Sequence, residues 1–183
     1  MLSDFPDDLY ASHLPLLSGL GCIRGGVKSI LELGSGMYST PMFLNRAFYP
    51  HVTRMVSVDH NSNWAERVRS TCKDDRLEMV VTTEPIEPYL STLDLESFDL
   101  IFVDNSDVSF HREATIEYLG VKVMKPLVVI HDFQYPQYQK SAHNFPNKII
   151  DTRYGPHYTG LVWKSDSLSF GTLTEITCRV KQY

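Results

Sequence analysis

The chain has 183 residues, 43% of them hydrophobic and 21% charged, with a formal charge of -5. This is the composition of one soluble globular domain, spanning 1–183, and it excludes a dominantly disordered chain. A negative charge without a run of basic residues disfavours a nucleic-acid binder that works by phosphate neutralisation, and no apolar stretch is long enough to span a membrane. The start, MLSDFPDDLY, is acidic and lacks the apolar centre of a secretory signal, so the cytoplasm is the expected compartment. Cys22, Cys72 and Cys178 are odd in number and widely spaced, which argues against a disulfide framework and a structural zinc site.

In chain order, residues 1–27 read as an N-terminal helical segment, with a helix expected near Pro6 to Leu20 and a glycine-rich break after it. Ser29 to Leu33 is a short apolar run ending in glycines and reads as a strand buried on both faces. Thr40 to Phe48 reads as a helix, with Pro41 tolerated in its first turn. The pattern recurs with a strand at Arg54 to Val58, a helix at Asn63 to Thr71 capped by Asn61 or Ser62, and a strand at Arg76 to Thr82. A short helix or loop follows at Ile86 to Thr92, then a strand at Phe98 to Val103, a helix at Arg112 to Val123 and a strand at Leu127 to Ile130. Residues 133–158 are polar, aromatic and proline-rich and read as a loop region with room for one short helix, and as a candidate lid. Thr159 to Trp163 and Thr174 to Val180 read as a closing antiparallel hairpin. Alternating strands and helices imply an α/β fold with a parallel sheet covered on both faces.

The chemistry concentrates at strand ends. The first strand runs into Glu32-Leu-Gly34-Ser35-Gly36-Met-Tyr38-Ser39-Thr40. Glycines there let a ligand approach the backbone, and the following helix directs N–H groups at it. A dinucleotide fingerprint needs glycine at position 39, where this chain has Ser39, so an NAD-dependent oxidoreductase is the weaker alternative. The competing reading is S-adenosylmethionine, with Glu32 placed to hold the methionine ammonium. Asp59, ending the second strand, suits both ribose hydroxyls. Trp64 is a candidate wall for adenine or ribose, and Glu84 lies where the adenine edge would sit. Asp104 and Asn105 follow the fourth strand and His131 and Asp132 the fifth, so they should meet beside the methyl donor. His131 or Asp104 is a candidate base for an acceptor hydroxyl. Arg112 grips an acidic substrate or, more commonly for such a residue, makes a surface ion pair. Tyr135, Tyr138, Tyr154 and Tyr158 either wall a substrate or pack the 133–158 segment.

Over residues 28–132, the succession Ile-Leu-Glu-Leu-Gly-Ser-Gly, Val-Ser-Val-Asp-His with Trp-Ala-Glu-Arg-Val, Phe-Asp-Leu-Ile-Phe-Val-Asp and Val-Val-Ile-His-Asp resembles the class I S-adenosylmethionine-dependent methyltransferases. The resemblance implies a Rossmann-like, doubly wound, seven-stranded and mostly parallel sheet with an antiparallel C-terminal hairpin strand. It also implies that Glu32, Gly34, Gly36 and Asp59 bind the cofactor. One glycine of the family's loop is replaced by Tyr38. The full expected cofactor set is Glu32, Gly34, Ser35, Gly36, Tyr38, Ser39, Thr40, Asp59, His60, Trp64, Glu84, Asp104 and Asn105, and the expected catalytic set is Asp104, His131 and Asp132. Asp104 and Asp132 are similar to two of the three ligands of the magnesium-dependent members. The third position is Phe133, which cannot coordinate a hard cation, so a divalent metal is not favoured. The expected activity is methyl transfer to a small molecule, with a hydroxyl as one acceptor. A non-catalytic cofactor-binding subunit is the alternative, and a homodimer is admitted.

Overall fold

The computed structural model describes residues 9–23, 25–106, 108–153 and 156–165. Seven strands form one sheet: β1 (Ser29–Leu33), β2 (Arg54–Asp59), β3 (Leu77–Val81), β4 (Leu100–Val103), β5 (Leu127–His131), β6 (Asn147–Asp151) and β7 (Thr159–Trp163). Their order is β3-β2-β1-β4-β5-β7-β6. The first five run parallel, and β7 is antiparallel to both β5 and β6. Helices α1 (Leu14–Leu20), α2 (Ser39–Leu44), α3 (Ser62–Thr71), α4 (Glu87–Leu90), α5 (Ser109–Lys122) and α6 (Pro136–Ser141) flank it.

Strands buried on both faces need apolar residues at successive positions, and β1, β4 and β5 supply them. Alternate residues go to opposite sides. Ile30, Leu100 and Val129 join one core with α1 and α2, whereas Leu31, Ile101 and Val128 join another with α5. No helix among the described residues is long and apolar enough to cross a membrane.

Several expectations need correction. The helix after the glycine loop ends at Leu44 rather than Phe48, because Asn45 turns extended (ψ 113°) and its side chain accepts the Ala47 N–H. The 133–158 segment holds a short helix, α6, as the sequence admits, but also a strand, β6, that it does not show, and β6 is the hairpin partner of β7. Asn147–Asp151 is an edge strand with only two apolar residues, Ile149 and Ile150, side by side, so it lacks the alternation that marks a half-buried strand. The strand expected at Thr174 to Val180, like Cys178, Tyr154 and residues 6–8 of the first helix, lies outside the described residues.

Candidate active site

Strand order reverses between β1 and β4, which parts the loops that follow them and leaves a crevice beyond their carboxyl ends. A cavity of about 850 Å³ occupies it. Gly34 makes the crevice tight at its base. Its φ is +89°, and a Cβ there would lie 2.2 Å from the Asp104 carbonyl oxygen, so only glycine lets the β1 and β4 loops approach this closely.

Beneath the glycine loop, Glu32 is fully buried. Its Oε1 accepts the Ser39 hydroxyl at 2.6 Å, and its Oε2 accepts the hydroxyls of Thr40 and Ser57. Thr40 Oγ1 in turn accepts the Gly36 N–H at 3.1 Å, so the acid fixes the loop from below. Burial pushes the Glu32 carboxyl up to about 7, against the opposing pull of the three hydroxyls. Asp59 closes the loop from the β2 side: its Oδ2 accepts both the N–H (2.9 Å) and the hydroxyl (2.7 Å) of Ser35, and its Oδ1 accepts the Asn61 N–H. Asn61 then caps α3 by accepting the Trp64 N–H, and the Trp64 indole N–H returns to the Ser35 carbonyl at 2.7 Å.

The ends of β4 and β5 hold the titratable groups. Arg112, buried on α5, reaches across both: Nη2 lies 2.9 Å from Asp104 and Nη1 3.1 Å from Asp132, and the guanidinium also donates to the Asn105 and Ser106 carbonyls. Burial pushes Asp104 up, but His131 and Arg112 outweigh it and hold the carboxyl at about 2. Asp132 is likewise lowered: burial opposes ionisation, and His131, the His157 hydrogen bond and Arg112 overcome it. His131 has the reverse balance. Burial lowers it, and Asp104 and Asp132 raise it above its ordinary value.

An ionised carboxylate only accepts hydrogen bonds, which fixes the proton on each facing imidazole nitrogen. His131 Nδ1 therefore donates to Asp104 at 3.2 Å, while its Nε2 meets the Ser12 hydroxyl at 3.0 Å. His157, which lines the cavity, donates its Nδ1–H to Asp132 Oδ1 at 2.6 Å, and whenever the ring is neutral its lone pair is therefore on Nε2. Asp132 achieves this pose at φ +58°, in the left-handed region that a non-glycine residue rarely occupies.

No sequence-family model matches the chain, and no curated protein resembles it significantly in sequence. Solved structures do match. The N-methyltransferase NodS from Bradyrhizobium japonicum WM9 aligns over 90% of this chain and 100% of its own, at 14% identity and a TM-score of 0.60. Human methyltransferase-like protein 13, in complex with S-adenosylhomocysteine, covers 97% of this chain and 91% of its own, at 14% identity and a TM-score of 0.63. The O-methyltransferase TomG from Streptomyces achromogenes, in complex with S-adenosylmethionine, covers 84% of this chain and 79% of its own, at 18% identity and a TM-score of 0.54. The chain has the class I methyltransferase fold.

Within that fold, Gly34, Ser35, Gly36, Tyr38, Ser39, Asp59, His60, Trp64, Asp104, His131 and Asp132 all line the cavity. Glu32, Thr40, Glu84 and Asn105 do not. Glu32, expected to partner the ammonium, lies beneath the glycine loop and outside the cavity lining, where it supports the loop through the hydroxyls of Ser39, Thr40 and Ser57. Glu84 lies 3.8 Å from His60 and 3.9 Å from His111, with both carboxylate oxygens buried and without a hydrogen bond. Asn105 holds Thr115 through its amide nitrogen, and its Oδ1 is buried and also without a partner.

His131 is corrected as a candidate base, because both ring nitrogens are engaged and its surroundings favour the charged form. Arg112 is corrected from a surface ion pair to a buried bridge. Tyr138 packs under its guanidinium, 5.5 Å away. Sequence reasoning missed His157 and His13, both lining the cavity. His157 sits two residues before β7, and pairing β7 against β5 with Thr159 opposite His131 is the signal that brings it to the site. Asp104, His131 and Asp132 present ligand atoms within 4.8 Å of one another. A guanidinium already rests on both carboxylates, however, and the donor set suits a hard dication poorly.

Proposed function

We propose that this protein transfers a methyl group from S-adenosylmethionine to a hydroxyl of a small molecule. The observation that carries the reading is the pairing, in one cavity at the switch point, of the glycine loop closed by Asp59 with an imidazole oriented by Asp132. S-adenosylmethionine is rich in donors: an adenine amino group, two ribose hydroxyls and an ammonium. The chain offers a matching acceptor in Asp59, which lines the cavity and would hold the ribose. When bound, the cofactor supplies an electrophilic methyl group on a sulfonium sulfur.

The chain's own part is to orient the acceptor, exclude water and remove a proton. The His157 Nε2 lone pair takes the acceptor's hydroxyl proton, and Asp132 holds the tautomer and stabilises the resulting imidazolium. His131 and Arg112 keep Asp132 ionised, and Arg112 holds it in place. NodS and TomG share the fold but are an N- and an O-methyltransferase, so the choice of a hydroxyl rests on this base and not on the fold.

Calorimetric titration with S-adenosylhomocysteine, using NAD as control, tests the cofactor. Saturable binding of the former alone is expected, and Asp59→Ala should weaken it at least about tenfold while the chain stays folded. Binding of NAD alone, or of neither, would overturn the reading. For the base, His157→Asn should lower methyl transfer by about 10²–10³-fold with little change in cofactor affinity.

A further inference from the structure

His13 stands between the turn at Leu9–Ala11 and α1 and is 3% exposed. Its backbone carbonyl accepts the Leu17 N–H, but its side chain caps nothing. The ring lies against Phe102, with centroids 5.1 Å apart, and edge-on to His131 at 4.8 Å. Both ring nitrogens are buried and neither has a hydrogen-bond partner. The residue nonetheless lines the cavity. A buried donor and a buried acceptor left unmade on one side chain are costly, and a folded protein retains such a pair where a ligand completes it. Burial first, and the His131 charge second, hold this imidazole neutral, with its pKa at about 3. It therefore presents one donor and one acceptor.

The charges around it offset one another. Arg112 lies on Asp104 and Asp132, and His131 lies on Asp104. No unpaired charge among these groups is left to attract an ionic acceptor. Nδ1 and Nε2 point away from each other, so one group meets only one of them; a hydroxyl suits either nitrogen, whereas an ammonium suits only the bare nitrogen and a carboxylate only the N–H. We infer that His13 is the residue that recognises a neutral hydroxyl on the methyl acceptor, so that the acceptor is a neutral hydroxylated molecule and not an amine or an acid. This rests on the methyl-transfer reading and names its substrate class.

The test uses the full chain saturated with S-adenosylhomocysteine, titrated calorimetrically with three probes of similar size: phenol, benzoate and benzylamine. Phenol alone should bind. His13→Phe keeps a ring against Phe102 and should weaken phenol at least about tenfold, leaving S-adenosylhomocysteine affinity unchanged, and His13→Gln should recover part of the loss. Without any ligand, His13→Phe should raise the melting temperature by about 2–4 °C, because it removes two unsatisfied polar atoms. Equal or tighter binding of benzoate or benzylamine, or binding of none of the three, would overturn the inference. So would phenol affinity indifferent to His13→Phe, or a lowered melting temperature shared by both variants. Failure of the wild-type chain to bind S-adenosylhomocysteine would instead overturn the methyl-transfer reading, and this inference with it.

Discussion

Glu32 carries its carboxyl beneath the glycine loop on three hydroxyls, and its proton is bound more tightly in the folded chain than in the unfolded one. Its folded pKa, about 7, lies above the ordinary 4.5. The stabilising contribution is thus complete below about pH 4.5 and is lost as pH rises through 7, amounting to about 3 kcal/mol. Denaturant unfolding of Glu32→Gln from pH 5 to 8 should remove that slope; an unaltered slope would show that Glu32 is not its source. Gly34→Ala meets both a positive φ and the Asp104 carbonyl, and should cost more than about 3 kcal/mol by the same assay. Arg112→Met strips two carboxylates of their cation and should cost about 3–5 kcal/mol. Arg112→Lys should recover little, because one ammonium cannot span both acids and two carbonyls.

At the scale of elements, α3 is held at its start by one side chain. Asn61→Ala should cost about 1 kcal/mol in a denaturant midpoint. The inner parallel strands could be read from the sequence because strands buried on both faces are written in consecutive apolar residues, as in Leu100–Val103 and Leu127–His131. Asn147–Asp151 could not, since this short edge strand has only Ile149 and Ile150 as apolar residues and is recognised through its pairing with β7, the next strand along. The site divides in the same way. The glycine loop and Asp59 are local punctuation of strand ends, and their placement in the cavity follows from topology. His13 and His157 carry no local pattern, because they enter from segments that tertiary pairing alone brings to β4 and β5. Glu32 shows the same limit: sequence spacing shows where a carboxylate starts, but not that it lies beneath the glycine loop, outside the cavity lining, with Ser39, Thr40 and Ser57 bonded to it.

For the whole molecule, a ligand that binds only the folded state must raise its stability. S-adenosylhomocysteine at about 100 times its Kd adds about 2.7 kcal/mol, expected as a rise of about 5–10 °C in melting temperature. The absence of a shift at that excess would argue against folded-state binding. The seam between β5 and β7 adds a matter of timing. Phe133 donates its N–H to the Tyr158 carbonyl, and its ring fills the space left by the missing Cβ of Gly160. The pose of Asp132, one residue earlier, is thus set by a strand that the ribosome delivers after all the others described. A nascent chain that has emerged as far as β6 holds the glycine loop, Asp59 and both acids, yet β5 still has an open edge and His157, the proposed proton acceptor, is absent. The nucleoside half of the site can mature first; the acid–base half waits for the seven residues from His157 to Trp163.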